Sequence, residues 1–167
     1  EYRAKIKVLY QKTIDEKVSA FCQSLNFQEI IELSPNKWHK LDENTEIMCT
    51  PFGKGDSWLA VKNQNHTILN LNDCPVTTET DLSRIKEMVG KVDVLFSQFS
   101  FANWVGNSED PASCKNEAKI KLKSLISQCS YLNPKYVVPF ASFVLFCRNC
   151  FLQENKIIYF KKNKKRK

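Results

Sequence analysis

The chain has 167 residues, of which 43% are hydrophobic, and a formal net charge of +7. This length and composition predict one globular domain with an apolar core and exclude a disordered chain. Residues 161–167 carry six of the positive charges, so nucleic-acid binding is not expected of the nearly neutral remainder. Because no apolar run reaches the length of a bilayer span and no signal peptide opens the chain, membrane association is not expected either.

The amino-terminal segment has the predicted order strand, helix, strand. Residues 5–10 and 27–33 have the apolar pattern of short strands. Between them, Thr13 and Glu16 have the spacing of a capping box and predict a helix start. The predicted buried face of this helix consists of Ile14, Val18, Phe21, Cys22 and Leu25.

Four short alternating segments follow, with connections too short to contain helices. This spacing predicts an antiparallel block, and the Asn63–Asn65 turn predicts a hairpin between its last two strands. The predicted strands are residues 38–41, 46–52, 56–62 and 66–71.

The pattern then changes to that of a parallel βαβ unit. Thr78 and Asp81 predict a helix N-cap, and Gly90 predicts the end of that helix. The buried strand predicted for residues 92–96 should therefore pair in parallel with the strand before the helix.

The last third begins with a long loop, residues 97–113, whose aromatic side chains indicate an ordered, functional loop. A lysine-rich helix, a strand at 136–139, an apolar helical segment at 140–151 and an edge strand at 157–160 are predicted after it. The predicted inward face of the lysine-rich helix consists of Ala118, Leu122, Leu125, Ile126 and Cys129.

The seven cysteines are irregularly spaced and odd in number. Several lie in apolar patterns, where cysteine packs as a small hydrophobic residue. This usage is typical of a reduced, cytoplasmic protein and not of a disulfide scaffold. Cys147 and Cys150 form one isolated CxxC pair, for which core packing is favoured over a zinc or redox role.

Asp73 is the foremost candidate for a functional residue, because it follows a predicted strand and functional groups collect at the carboxyl ends of strands in α/β proteins. The alternative is that its carboxylate only caps its own turn, and Asp56 is likewise typical of a turn or the entry to a strand. His39 and His66 are too far apart to form a zinc site of the usual three or four ligands.

Five segments together resemble the second half of metallo-β-lactamase-fold proteins. Residues 55–61 (GDSWLAV) and 67–74 (TILNLNDC) carry the similarity, and three later segments agree in order and spacing. These are residues 92–100, 101–104 and 134–141. Within this group of proteins, the chain most resembles the branch of CMP-N-acetylneuraminate hydroxylase.

The resemblance implies an α/β fold, the αββα sandwich of two mixed sheets with helices outside, present incompletely in this chain. Residues 1–160 would form the partial domain and residues 161–167 a basic tail. Asp73 matches the aspartate that bridges two metal ions and helps to polarise the water between them. Pocket-lining positions implied by the resemblance are Asp56, Gln98, Phe99, Ala102, Trp104 and Arg148.

The chain also departs from the family pattern. The HxHxDH motif is absent, and the chain begins with Glu1 just downstream of its expected position. The middle histidine has no counterpart in residues 50–56, and Arg148 stands where relatives carry the last one. A guanidinium stays charged and is not a normal metal ligand. A divalent metal (zinc, or iron or manganese) is therefore expected in a longer protein and not in this chain alone.

Three hypotheses follow. The chain is a fragment of a metal-dependent, hydrolase-type protein, or a degenerate non-catalytic relative that acts as a scaffold or protein-interaction module. A weaker third hypothesis assigns an anion- or nucleic-acid-binding role to residues 161–167. In the first case an amino-terminal half or a second chain should cover the open sheet, and a homo-oligomer is the alternative arrangement.

Overall fold

A computed structural model describes residues 2–72, 74–99 and 111–140. The elements are a 3₁₀ helix (Arg3–Lys5), β1 (Lys7–Gln11), α1 (Lys17–Ser24), β2 (Glu29–Leu33), β3 (His39–Lys40), β4 (Thr45–Phe52), β5 (Asp56–Asn63), β6 (His66–Asn70), α2 (Glu79–Val89), β7 (Val94–Gln98), α3 (Pro111–Leu132) and β8 (Tyr136–Phe140). The fold class is α/β, as predicted. Among the described helices, none has the length and hydropathy of a membrane span.

Six strands form one mixed sheet in the order β3-β4-β5-β6-β7-β8. Strands β3 to β6 pair antiparallel, whereas β6, β7 and β8 pair in parallel. Strands β1 and β2 form a separate parallel pair. Both predicted strand–helix–strand units are therefore confirmed, and the carboxyl ends of β6, β7 and β8 meet at one edge of the large sheet.

One face of the large sheet packs against α2 and α3 and forms the core, and we call it the helix face. Alternate strand residues point to this side, as the two-residue repeat of a strand requires. Those that are almost completely buried are Met48, Trp58, Ala60, Leu69 and Leu95. Helix α2 contributes Leu82, Ile85 and Val89. As predicted, Thr78 caps α2 by accepting the Asp81 N–H at 3.1 Å, and Gly90 follows its last residue with a positive φ of 79°.

The opposite side of the large sheet, the open sheet face, is also apolar. It carries Ile47, Leu59, Val61, Ile68, Val94, Phe96, Tyr136 and Val138. The β1–β2 pair reaches this face at β4, where the Cys49 thiol donates to Gln11 Oε1 at 3.6 Å. Ile68 nevertheless remains 40% exposed and Tyr136 59% exposed, so the described residues cover only part of the face.

The predicted start of α1 was wrong, and its predicted buried face was wrong in part, since only Cys22 and Leu25 of that face are half-buried. The Thr13 hydroxyl donates to Asp15 Oδ1 at 2.9 Å and also bonds to the Tyr10 hydroxyl, and Thr13 lies too far before the first helical residue to cap the helix. The helix begins at Lys17, one residue after Glu16, whose φ is +49°. The apolar residues at this end of the chain, Ile14, Val18 and Phe21, are exposed.

The predicted inward face of α3 was wrong in part. Leu125 is buried as expected, but Leu122 and Ile126 are 38% and 57% exposed. The inward side instead includes Gln128 and Leu132, each 3% exposed. The orientation of α3 therefore follows the hydrogen bonds of a buried polar side chain, because leaving such a group without partners costs more than exposing part of an aliphatic one.

At the amino ends of the parallel strands, Asp93 joins all three strands. Its Oδ2 accepts the Thr67 N–H at 2.9 Å, and its own N–H donates to the Thr67 carbonyl at 2.9 Å. Its carbonyl accepts the Tyr136 N–H at 2.8 Å, and Lys91 Nζ lies 3.1 Å from Oδ1. The Thr67 N–H and then Lys91 lower the pKa of the Asp93 carboxyl below its usual 3.8.

Because the folded-state pKa of Asp93 is lowered, its charge stabilises the fold above pH 3.8 and this contribution is lost as pH falls through the folded-state value. We expect the Asp93→Asn variant to unfold at lower urea concentration than wild type at neutral pH. The difference in free energy of unfolding should shrink as the pH is lowered below 3.8. Glu43→Gln, at an exposed position in the turn before β4, controls for charge removal. A difference that does not change with pH would contradict this role.

Candidate functional site

The turn that leaves β6 is built by two asparagines. Asn70 Oδ1 accepts the Asn72 N–H at 2.9 Å, and Asn72 has a positive φ of 50°, which asparagine tolerates better than most residues. Leu71 donates its N–H to the Phe96 carbonyl at 3.0 Å, which fixes the turn to β7. Asp73 itself lies outside the described residues, so its assignment as a metal ligand stays a prediction.

Helix α3 anchors the segment after this turn. Gln128 Nε2 donates to the Val76 carbonyl at 2.9 Å, and the Ser124 hydroxyl donates to the same carbonyl at 3.3 Å. Gln128 Oε1 in turn accepts the Ser97 hydroxyl at 2.5 Å. Gln128 and Ser97 are both nearly inaccessible to solvent. The network therefore joins the β6–α2 connection, the end of β7 and α3 into one rigid edge.

A cavity of about 170 Å³ lies at this edge, between the carboxyl ends of β6 and β7 and the middle of α3. Asn72 and Cys74, the chain neighbours of Asp73, both line it. Lys121 and Glu117 supply one positive and one negative side chain from α3. The Lys121 ammonium donates to Gln98 Oε1 at 3.1 Å, which orients that carboxamide at the end of β7.

Three of the pocket-lining positions predicted from the resemblance are described, and all three lie at the same edge of the sheet. Gln98 ends β7 and lines the cavity, and half-buried Phe99 follows it. Asp56 begins β5, which runs antiparallel to β6 and so starts at the same edge. These three roles stay predictions. Ala102, Trp104 and Arg148 lie outside the described residues, so their predicted roles also stay predictions.

The two histidines do not approach this edge. His66 begins β6 and therefore lies at the opposite edge from Asn70. His39 Nε2 lies 3.2 Å from the Ser34 carbonyl, in a half-buried structural contact. Within residues 2–72, 74–99 and 111–140, no group of three or more histidine, cysteine, aspartate or glutamate side chains could hold a metal ion.

Ser97, Lys121 and Gln128 were not predicted from the sequence as residues of this site. A signal for Gln128 was present, since it lies three residues after Leu125 and four before Leu132 and so interrupts a helical row of buried leucines. A polar residue in such a row requires a buried partner. Its partner Ser97 is 31 residues away, and the sequence alone does not identify it.

No protein-family model and no curated protein sequence matches this chain. Several solved structures do match it. CmlA, a diiron β-hydroxylase from Streptomyces venezuelae, is 15% identical with a TM-score of 0.61, over 81% of this chain and 30% of CmlA. Igni18, a metallo hydrolase from Ignicoccus hospitalis, is also 15% identical, with a TM-score of 0.56, over 95% of this chain and 64% of its own.

Both neighbours are metallo-β-lactamase-fold proteins. The chain has part of the metallo-β-lactamase fold. This confirms the fold that the resemblance predicted, whereas the CMP-N-acetylneuraminate hydroxylase branch stays a prediction. At this level of identity the likeness concerns the fold alone. The chain spans less than two thirds of the length of either neighbour.

The hydrogen-bond network predicts the consequence of removing the Gln128 carboxamide. In Gln128→Leu the Ser97 hydroxyl loses its acceptor and the Val76 carbonyl loses one of two donors, so the free energy of unfolding should fall by about 1–3 kcal/mol. Gln23→Leu, a matched change at an exposed position of α1, should alter it by less than about 0.5 kcal/mol. Urea unfolding measures both variants. A Gln128→Leu effect as small as that of the control would show that the network contributes little.

Proposed function

We propose that this chain is the carboxyl-terminal part of a metal-dependent, hydrolase-type protein of the metallo-β-lactamase fold. The observation that supports this most is the asymmetry of the structural likeness to Igni18. The match takes in 95% of this chain but only 64% of that metallo hydrolase. On this proposal, the complete protein contains a further segment of the same fold in addition to these 167 residues.

Asp73 is the proposed contribution of this chain to the metal site. Its immediate neighbours Asn72 and Cys74 line the cavity at the carboxyl edge of the sheet. A single carboxylate does not bind a catalytic metal, because zinc sites use three or four protein ligands. The described residues add no such ligand group, so the remaining ligands of the zinc, iron or manganese ion would come from an upstream HxHxDH segment. No catalytic step is assigned to this chain by itself.

The open sheet face is the proposed contact surface for the missing part. Parallel strands in α/β proteins are ordinarily covered on both faces. Ile68, Tyr136 and Val138 are 40%, 59% and 37% exposed on this side of the sheet, which the β1–β2 pair reaches at β4. An amino-terminal half, or a second chain that supplies it, would bury them. A reducing, cytoplasmic location fits the free thiols of the chain.

A non-catalytic scaffold is the second candidate function. Arg148 stands where the resemblance places the last metal-binding histidine, and a guanidinium does not ligate a metal. In that case the fold would be retained for protein interaction alone.

Metal analysis of the longer protein, produced with its upstream coding sequence, separates the two candidates. If the protein is the proposed metal-dependent one, the purified material should contain about one or two zinc, iron or manganese ions per chain, as expected of a site with a bridging carboxylate. Asp73→Ala should then lose most of that metal, whereas Asp42→Ala, at an exposed turn, should retain it. A metal-free protein, or an upstream sequence without HxHxDH, would contradict the proposed function and favour the non-catalytic scaffold.

A further inference from the structure

Two side chains of opposite charge line the cavity at the carboxyl edge of the sheet without pairing with each other. Glu117 and Lys121 both come from α3, and both are half-buried. They lie four residues apart with the glutamate first, the arrangement in which two charges on a helix pair most favourably. Within the part of the chain that the structure describes, however, neither of them makes an ion pair. Both charges therefore remain available to a molecule in the cavity.

Lys121 is directed to the end of β7 instead. Its ammonium donates to Gln98 Oε1 at 3.1 Å, and an ammonium has three N–H groups, so two remain for another acceptor. Because Oε1 of Gln98 is used in this bond, the amide N–H groups of the same side chain are left as donors. Both residues line the cavity. Together they supply one positive charge and several N–H donors, which is the set that binds a carboxylate.

Glu117 supplies the complementary acceptor. An ionised carboxylate accepts hydrogen bonds and donates none, and no described residue donates one to the Glu117 side chain. The Cβ atoms of residues four apart on one helix face are about 5–6 Å from each other. A small group in the cavity can therefore contact Glu117 and Lys121 at the same time.

The serine hydroxyls of the cavity wall are already engaged. The Ser97 hydroxyl donates to Gln128 Oε1, and the Ser124 hydroxyl donates to the Val76 carbonyl and accepts from Gln128 Nε2 at 3.1 Å. The two charges are therefore the strongest recognition groups. The volume of about 170 Å³ is below the roughly 300 Å³ at which pockets for drug-sized ligands begin, so it suits a small group or one end of a larger molecule.

A ligand with a single charge fits this arrangement less well. An anion on Lys121 would lie near the Glu117 carboxylate, and a cation on Glu117 would lie near the Lys121 ammonium, and like charges brought together oppose binding. An ammonium and a carboxylate on one carbon atom satisfy both side chains. We propose that this cavity binds the zwitterionic end of an α-amino acid, free or as part of a larger molecule. Lys121 and Gln98 bind its carboxylate, and Glu117 binds its ammonium group.

This proposal rests on the proposed function for its consequence, which is the substrate class. Asn72 and Cys74, the chain neighbours of Asp73, line the same cavity. The bound group would therefore belong to the substrate of the metal site, and that substrate would carry an amino-acid end. The binding itself requires no metal, so it can be measured on the 167-residue chain.

Saturation-transfer NMR of the metal-free chain, with glycine as the probe, tests the proposal. Glycine should bind saturably in the millimolar range. Acetate and methylammonium, which carry one charge each, should bind about tenfold more weakly, because each loses one charge-assisted hydrogen-bond partner. Absence of glycine binding, or equal binding of glycine and acetate, would overturn the proposal.

Two substitutions assign the binding to this cavity. Lys121→Gln and Glu117→Gln should each weaken glycine binding about tenfold. Lys119→Gln, on the exposed side of α3, and Glu43→Gln, in the turn before β4, are the matched controls and should bind glycine as wild type does. Circular dichroism checks that each variant is folded, and the comparison with acetate holds in wild type if one is not. Wild-type affinity in both cavity variants would overturn the proposal.

This outcome is separate from that of the metal analysis. A chain that does not bind glycine would remove the substrate class and leave the proposed metal-dependent function as it stands. A metal-free longer protein would contradict the proposed function without changing the affinity of this cavity for glycine.

Discussion

Strands β6, β7 and β8 carry apolar side chains on both of their faces, and this requirement for burial on two sides governs the rest of the structure. On the helix face, α2 and α3 bury Leu69 and Leu95 completely. On the open sheet face, the β1–β2 pair reaches the sheet at β4. A parallel sheet covered on one side loses much of the hydrophobic stabilisation available to it. The two-sided pattern therefore links the fold to the proposal that a further sheet completes it.

The polar edge of the sheet depends on α3 in a different way. Gln128 is buried and uses both ends of its carboxamide, with Ser97 on β7 and the Val76 carbonyl before α2. These bonds hold the segment after Asp73 against the end of β7, and the Leu71 N–H bond to the Phe96 carbonyl holds the residues before it. On the proposed function, Asp73 would bridge two metal ions and would have to be held in position, and a rigid edge of this kind would meet that need. The same bonds set the rotation of α3 and leave Leu122 and Ile126 on its outer side.

Much of the fold was predictable because local pattern and tertiary packing agree. The alternation of β4, β5 and β6, the Thr78 cap and the stop at Gly90 all lie where the sequence predicts them. The start of α1 was not predicted correctly, because the Thr13 hydroxyl bonds to Asp15 instead of capping the helix. The inward face of α3 was predicted wrongly in part, because apolar periodicity does not take into account a buried glutamine. The candidate site was placed at the strand ends on grounds of topology, whereas the partners of Gln128 are distant in sequence and could not be predicted.

The central claim is that the open sheet face belongs to the interior of a larger fold, and the most direct measurement is the association state of the 167-residue chain. Sedimentation velocity, together with binding of a hydrophobic dye, should show self-association or dye binding by wild type. Ile68→Glu, which places a charge in the middle of this face, should weaken both, whereas Gln23→Glu on exposed α1 should not. A wild-type chain that stays monomeric at all concentrations and binds no dye would contradict the account.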